Sequence, residues 1–295
     1  MTKLAPSLPD SRAYREPAAG DFAFTNEDFD RIAALLRQDS GIHLQNSKAS
    51  LVYSRLAKRL RALHIDSFRD YCKLVAEDAE ERMNMLAALT TNVTRFFREP
   101  HHFEHLKTSV LPPLLDAARR GGAVRIWSAG CSSGQEPYSI ALSVLSLMPD
   151  AASRDIKILA TDIDPNMIAR GRSGLYEPAE LRDVPAEMKR RWFSGNGDQG
   201  PQSVGEELRA LVAFRPLNLI GNWPMRGPFH AIFCRNVVIY FDEATQSKLW
   251  SRVAPLLAPG GCLYIGHSER VSGPALGVLD SVDITTYRIR AGARA

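Results

Sequence analysis

The sequence predicts an α/β protein: a parallel sheet wound with helices, carrying a small inserted β subdomain and preceded by a small all-α domain. Three patterns predict it. From about residue 121 onward, short apolar runs alternate with amphipathic stretches, as strands joined by crossover helices do. From 21 to about 91 the apolar spacing is helical throughout. Between 174 and 215 the alternation breaks, with a helix-like EMKRRWF, the loop SGNGDQGPQ and a β-like LRALVAFR, which we read together as the insert.

Taken in order, residues 1–20 are rich in Pro and Ala without periodicity and read as a disordered tail; they lack the apolar core of a signal peptide. Thr25 or Asn26 caps a helix running through FDRIAALLRQDS, and Gly41 marks its end. Residues 48–63 form a second helix with Val52, Leu56, Leu60 and Leu63 on one stripe, and helices near 66–76 and 79–90 complete the domain at 21–91. Residues 92–120 are a linker and helix. The catalytic-type domain at 121–295 has strands at 124–128, 156–161, 229–234, 262–266 and 283–290.

Composition sets the class. At 295 residues the chain has room for two domains with cores, and 45% hydrophobic with 24% charged residues is ordinary for a globular protein. The four cysteines (Cys72, Cys131, Cys234, Cys262) are scattered with no C-x-x-C pair, which argues for free thiols in a reducing compartment. No apolar run is long enough for a bilayer span, so a cytoplasmic protein is expected. Net charge is +4, a mild excess. Its distribution says more, because Lys48, Arg55, Lys58, Arg59 and Arg61 lie off the apolar stripe of the second helix. That face is either a solvated surface or a docking face for an acidic partner, with Arg55, Lys58 and Arg59 as the docking candidates.

The densest chemical signal is VRIWSAGCSSGQEPYS (124–139). An apolar strand breaks into a Gly-rich turn, and a helix opens with Glu136 and Pro137. Pro137 suits a first helical position, and the turn is a place where backbone N–H groups face a ligand. The spacing of Gly130 and Gly134 is not G-x-G-x-x-G, and the turn has no lysine of the phosphate-binding type. The next strand-end acid, Asp162 in ILATDID, is placed to accept hydrogen bonds from ribose hydroxyls. The pattern therefore points to a nucleoside rather than a pyrophosphate.

Further polar groups cluster in TTNVTRFFREPHHF (90–103), in PLNL (216–219) and in CRNVVIYF (234–241). Asn92, Thr94 and Arg98 are candidates to lean over a ligand at the carboxyl edge of the sheet. Arg235, Asn236 and Tyr240 follow a strand, where open sheets hold ligands, and Asn218 with its backbone can read an adenine edge. Two other readings are weaker. His101 and His105 are spaced i, i+4 beside His102, but no third or fourth ligand is evident, so no metal site is expected. Cys234 has no preceding Pro, and RNVVIYF lacks the Pro-Pro corner that shapes a base-stacking pocket, which counts against nucleic acid as substrate.

In combination, TTNVTRFFRE, SAGCSSGQEPYSIA, DID, FCRNVVIYF and GHSE resemble the CheR-type chemotaxis receptor methyltransferases, over about residues 21–290. The resemblance implies a Rossmann-like S-adenosylmethionine-dependent methyltransferase sheet, with S-adenosylhomocysteine as product. It also implies a protein-glutamate O-methyltransferase acting on chemoreceptor cytoplasmic domains to form γ-methyl esters. Cofactor contacts carry over to Asn92, Thr94, Arg98, Glu136, Asp162, Asn218, Leu219, Arg235 and Asn236, and reactant-orienting roles to Arg98 and Tyr240. Many methyltransferases carry an acid at the end of the first strand, where this chain has Ser128, Ala129 and Gly130. Glu136 supplies the nearest negative charge there and is read as the partner of the cofactor's ammonium group.

The implied partner is the acidic helical bundle of a receptor, met by the basic helix at 48–63. Some family members also grip a receptor's C-terminal tethering peptide with the insert, a point the loop between Trp192 and Leu208 leaves open. Two other readings stand beside the enzyme: a non-catalytic cofactor-sensing adaptor, and a methyltransferase acting on another substrate.

Overall fold

A computed structural model describes residues 21–290; the expected tail at 1–20 lies outside them. The chain divides into two compact units. One comprises residues up to Leu36 together with Leu44–Leu89, and the other comprises Arg37–His43 with everything from Thr90 on.

The first unit holds four helices: α1 (Asn26–Ser40, its last turn belonging to the second unit), α2 (Ala49–Leu63), α3 (Phe68–Glu77) and α4 (Ala79–Leu89). Thr25 caps α1: its hydroxyl accepts from Asp28 N–H at 3.2 Å, while Asp28 reaches back to Thr25 N–H at 3.0 Å. Ser67 caps α3 in the same way through Asp70 N–H. Val52, Leu56 and Leu60 of the α2 stripe are fully buried, as are Ile32 and Leu36 of α1 and Phe68 and Tyr71 of α3, whereas Leu63, at the last position of α2, is exposed.

The basic face of α2 differs from expectation. Arg59 Nε donates to Glu81 Oε1 at 3.0 Å and its Nη2 pairs with Oε2; Tyr71 adds its hydroxyl to Oε1 at 2.8 Å. Arg55 Nη1 donates to the Leu89 carbonyl at 2.9 Å, satisfying an orphan acceptor at the end of α4. These two arginines hold the helical unit together, because a carboxylate as buried as Glu81 needs its charge compensated. Lys58, the third docking candidate, is exposed.

In the second unit, α5 (Pro100–His105) and α6 (Leu111–Arg119) lead into β1 (Val124–Ala129). There follow α7 (Gln135–Leu147), β2 (Ile156–Asp162), α8 (Pro165–Ser173), β3 (Leu175–Tyr176), α9 (Ala186–Trp192), β4 (Phe193–Gly195) and β5 (Gln202–Val204). The chain ends with α10 (Glu206–Leu211), β6 (Val212–Pro216), β7 (Phe229–Cys234), α11 (Glu243–Val253), β8 (Leu257–Ile265), β9 (Leu279–Asp283) and β10 (Thr286–Ile289).

Seven strands form the main sheet in the order β6-β2-β1-β7-β8-β10-β9. The first five run parallel, and β10 is antiparallel to both neighbours. Alternation on β1 splits the core: Val124 and Ile126 pack on the α6–α7 side, Trp127 and Ala129 on the α11 side. The order reverses direction between β1 and β7, so the crevice for a ligand opens at their carboxyl ends.

Two expectations are corrected. The β-like stretch at the end of 174–215 is β6, which pairs with β2 in register Ile158 to Val212 and so belongs to the main sheet; only β3-β5-β4 form the small separate sheet. The span 283–290 is also not one strand, since Ile284 and Thr285 turn between β9 and β10.

Candidate active site

The turn after β1 is built by its own hydrogen bonds. Gly130 and Cys131 N–H both donate to the Thr161 carbonyl at 2.8 Å, Gly134 N–H to the Cys131 carbonyl at 3.1 Å, and Ser132 N–H to Asp162 Oδ2 at 2.7 Å. These four donors are therefore spent inside the protein, which corrects the expectation that the turn presents them to a ligand. A turn so satisfied is no phosphate cradle, in keeping with the nucleoside reading. Gly130 (φ +79°) is required there, since a Cβ would lie 2.3 Å from Val237 Cγ2. Pro137 is the third residue of α7 rather than the first, still among the positions whose N–H has no helical partner.

Asp162 ends β2 with its carboxylate buried. Besides Ser132 N–H it accepts Asp164 N–H on Oδ1 at 2.9 Å. Burial pushes its pKa up, against the pull of those N–H groups. The segment 92–99 is fastened over this end of the sheet: Asn92 Nδ2 donates to Asp164 Oδ2 at 3.0 Å, and Ser132 Oγ donates to the Asn92 carbonyl at 3.1 Å. Thr94, on the same segment, is half-buried.

One junction further along the edge, Ser128 Oγ donates to Glu136 Oε1 at 2.6 Å, and Arg235 Nη1 donates to Glu136 Oε2 at 3.0 Å. The other arm of Arg235 is held by Glu99: Nη2 and Nε lie 3.0 and 3.3 Å from Oε2. Nη2 also donates to the Arg98 carbonyl. One buried guanidinium thus serves two carboxylates. Burial would raise the Glu99 carboxyl, but Arg235 and His267 outweigh it and hold it down at about 2. Glu136 goes the other way, since burial raises it despite Arg235 and Ser128.

The loop after β7 owes its shape to Glu269. Its carboxylate accepts the N–H groups of Asn236, Val237, Val238 and Gly266 at 2.6–2.9 Å, which holds Asn236 in the left-handed region at φ +59°. Tyr240 is half-buried, and its carbonyl accepts His43 N–H at 2.8 Å. Arg98 Nη1 donates to the neutral Val93 carbonyl at 2.9 Å, and no carboxylate pairs with Arg98 among the described residues.

Other expected cofactor positions take a different part. Asn218 spends its side-chain amide on the Asp39 carbonyl (2.5 Å) and on Ile220 N–H (3.1 Å), and its carbonyl accepts Gly221 N–H. Leu219 is buried, with its carbonyl taken by Arg252. The side chain of Asn218 therefore builds the loop, leaving contact with a ligand to other atoms. The three histidines of 101–105 diverge: His102 Nε2 meets Thr285 Oγ1 at 2.8 Å and His105 Nδ1 meets the Tyr264 hydroxyl at 2.9 Å. Glu99, His267, Glu269 and Ser128 are the residues the sequence reading left without a role. The signal for Glu99, His267 and Glu269 lies in TRFFRE and GHSE, whose acids have no partner nearby in sequence, and that for Ser128 in SAGCSSGQEPYSIA.

A largely parallel sheet with this switch point, an acid ending β2 and a half-buried carboxylate at the mouth of α7 is the layout of a nucleoside-dependent transferase of the S-adenosylmethionine class. The model of the CheR methyltransferase SAM binding domain matches residues 92–287, and that of the CheR methyltransferase all-alpha domain matches 27–90, so the chain belongs to the CheR methyltransferase family. It is similar to a probable chemotaxis protein methyltransferase of Rhizobium etli, 57% identical over 258 residues that cover 86% of this chain and 96% of that one. It is likewise similar to chemotaxis protein methyltransferase 2 of Pseudomonas aeruginosa (44% identical, 84% and 88% covered) and the chemotaxis protein methyltransferase of Escherichia coli (42%, 85% and 86%). The chain is an S-adenosylmethionine-dependent methyltransferase whose family activity is methylation of chemoreceptor glutamates. No helix among the described residues is long and apolar enough to cross a membrane.

Proposed function

We propose that the chain carries the methyl group of S-adenosylmethionine to glutamate side chains on the acidic helical bundle of a chemoreceptor's cytoplasmic domain, with Arg98 and Tyr240 orienting the glutamate. The observation that supports this assignment is the charge state of the edge: among the described residues Arg98 has a carbonyl partner and no carboxylate, so its charge is available to an incoming carboxylate. Tyr240, half-buried in the loop after β7, offers a hydroxyl donor for the same role.

The residues at the edge fit the cofactor. Asp162 offers a strand-end carboxylate for ribose hydroxyls, and Glu136, which shares its one cation with Glu99, suits the ammonium group. Arg235 acts through Glu136 in this reading, fixing that carboxylate rather than touching the ligand. The bound cofactor supplies a methyl already activated on a positively charged sulfur. The receiving glutamate is ionised at pH 7, so no general base is required. What the protein contributes is alignment of the carboxylate oxygen with the methyl and exclusion of water. The new O–CH3 bond forms as the S–CH3 bond breaks, and its electron pair stays on sulfur.

Lys58 and its exposed neighbours on α2 supply the basic surface for the receptor bundle, in the cytoplasm where that bundle lies. An extended receptor tail is the second contact of this reading, added as a strand to the small sheet, whose edges are β3 and β4. Incubation with labelled methyl donor and receptor cytoplasmic fragments tests the assignment. Label released by mild alkali is expected; alkali-stable label would indicate an N-methyl product and end the glutamate reading.

A further inference from the structure

The segment that carries Asn92, Thr94 and Arg98 ends in a conformation glutamate seldom adopts: Glu99 sits at φ +58°, the residue before Pro100 opens α5. Such a backbone persists only where its surroundings over-determine it. Here they do. Oε2 receives Nε and Nη2 of Arg235, while Oε1 receives both His267 N–H (3.2 Å) and His267 Nδ1 (3.0 Å). One carboxylate thus ties together the 92–99 segment, the loop after β7 and the loop after β8.

Beneath it, His102 is fully buried, with Nδ1 3.5 Å from Oε2 and Nε2 on the Thr285 hydroxyl. His267 itself is exposed, its carbonyl taken by Arg270, with the ring turned by the Nδ1 contact.

Sheet order gives this clasp its place. Asp162 ends β2, on one side of β1; Arg235 and His267 follow β7 and β8, on the other. The ribose end of the site and the Glu99 clasp therefore lie on opposite sides of the strand that starts the cofactor turn. We propose that Glu99 is a positioning residue for methyl transfer, holding Arg98, Arg235 and His267 in one arrangement on the substrate half of the carboxyl edge. The inference rests on the receptor-glutamate reading above, and extends it to a residue that touches neither reactant.

The test uses the full chain and a receptor cytoplasmic fragment, at saturating cofactor and at a temperature where circular dichroism shows each variant folded, with active sites counted by cofactor-binding stoichiometry. Glu99→Gln retains size but cannot accept on both sides, and kcat is expected to fall at least tenfold. His267→Ala removes only the exposed ring and leaves its backbone bond, so a fall of about threefold is expected. Because the two act as a unit, the double variant should be no slower than Glu99→Gln within twofold. A wild-type kcat for Glu99→Gln once cofactor saturates, with the whole loss in cofactor affinity, would overturn the inference. So would a double variant whose loss is the product of the single losses. Absence of label with the wild-type chain would instead fail the functional reading, and the inference with it.

Discussion

Arg235 Nη1 lies 3.0 Å from Glu136 Oε2, and the same buried guanidinium is also held by Glu99. Two half-buried carboxylates facing one buried cation leave the junction with a negative excess that solvent screens only in part. A ligand that brings an ammonium group relieves that excess. The sign of the Glu136 shift says the same, since the fold disfavours its ionised form.

Glu136→Gln is therefore expected to separate binding from stability. With its pKa raised on folding, Glu136 contributes stability that is complete below the ordinary carboxylate range and is lost as pH rises through the raised value. The neutral amide escapes that loss, so the melting temperature at pH 7 should not fall. Cofactor affinity should fall roughly ten- to a hundredfold, about 1.5–3 kcal/mol for a hydrogen bond to a charged group. Calorimetric titration and a thermal scan on one preparation check both; a lower melting temperature with unchanged affinity would make Glu136 purely structural.

Asp162→Asn probes the other end of the site. Its carboxylate accepts Ser132 and Asp164 N–H on different oxygens, so an amide nitrogen must oppose one of these donors. Cofactor dissociation should strengthen roughly tenfold or more, by the same 1.5–3 kcal/mol scale. Unchanged affinity by calorimetry would remove Asp162 from the ribose site.

Much of this was legible because local rules and the fold agree. Thr25 and the strand–turn–helix around Gly130 announce themselves through capping and turn chemistry, and the strand-end acid through its place after an apolar run. Elsewhere the decisive partner is far along the chain. Nothing near LVAFRP says that β6 pairs with β2 rather than with the insert. Nothing near GHSE says that Glu269 gathers N–H groups from 236–238. Arg55 and Arg59 read as a free basic face because Leu89 and Glu81, which they serve, lie over twenty residues away.

Glu99 sets an acid limb. Its carboxyl is held at about 2 against an ordinary 4.5, so its contribution is present above about 4.5 and is lost as pH falls toward 2. The shift corresponds to about 3 kcal/mol. Denaturant unfolding of wild type and Glu99→Gln between pH 7 and pH 2.5 should show the gap between them closing by about that amount. A gap independent of pH would show that Glu99 is not ionically paired.

The two faces of α2 make opposite predictions. Lys58 is exposed, so Lys58→Glu should leave unfolding unchanged and lower kcat/KM for receptor about three- to tenfold at low salt, the difference shrinking as salt rises. Arg59→Ala strips the buried Glu81 of its guanidinium and leaves the neutral donors Tyr71 and Asn84 on it, and should cost about 3 kcal/mol of that unit's stability. Denaturant titration followed by helical signal, beside receptor methylation across a salt series, separates the two. If Arg59→Ala unfolds like wild type while Lys58→Glu methylates like wild type, the ion pair with Glu81 is not structural and the docking surface lies elsewhere.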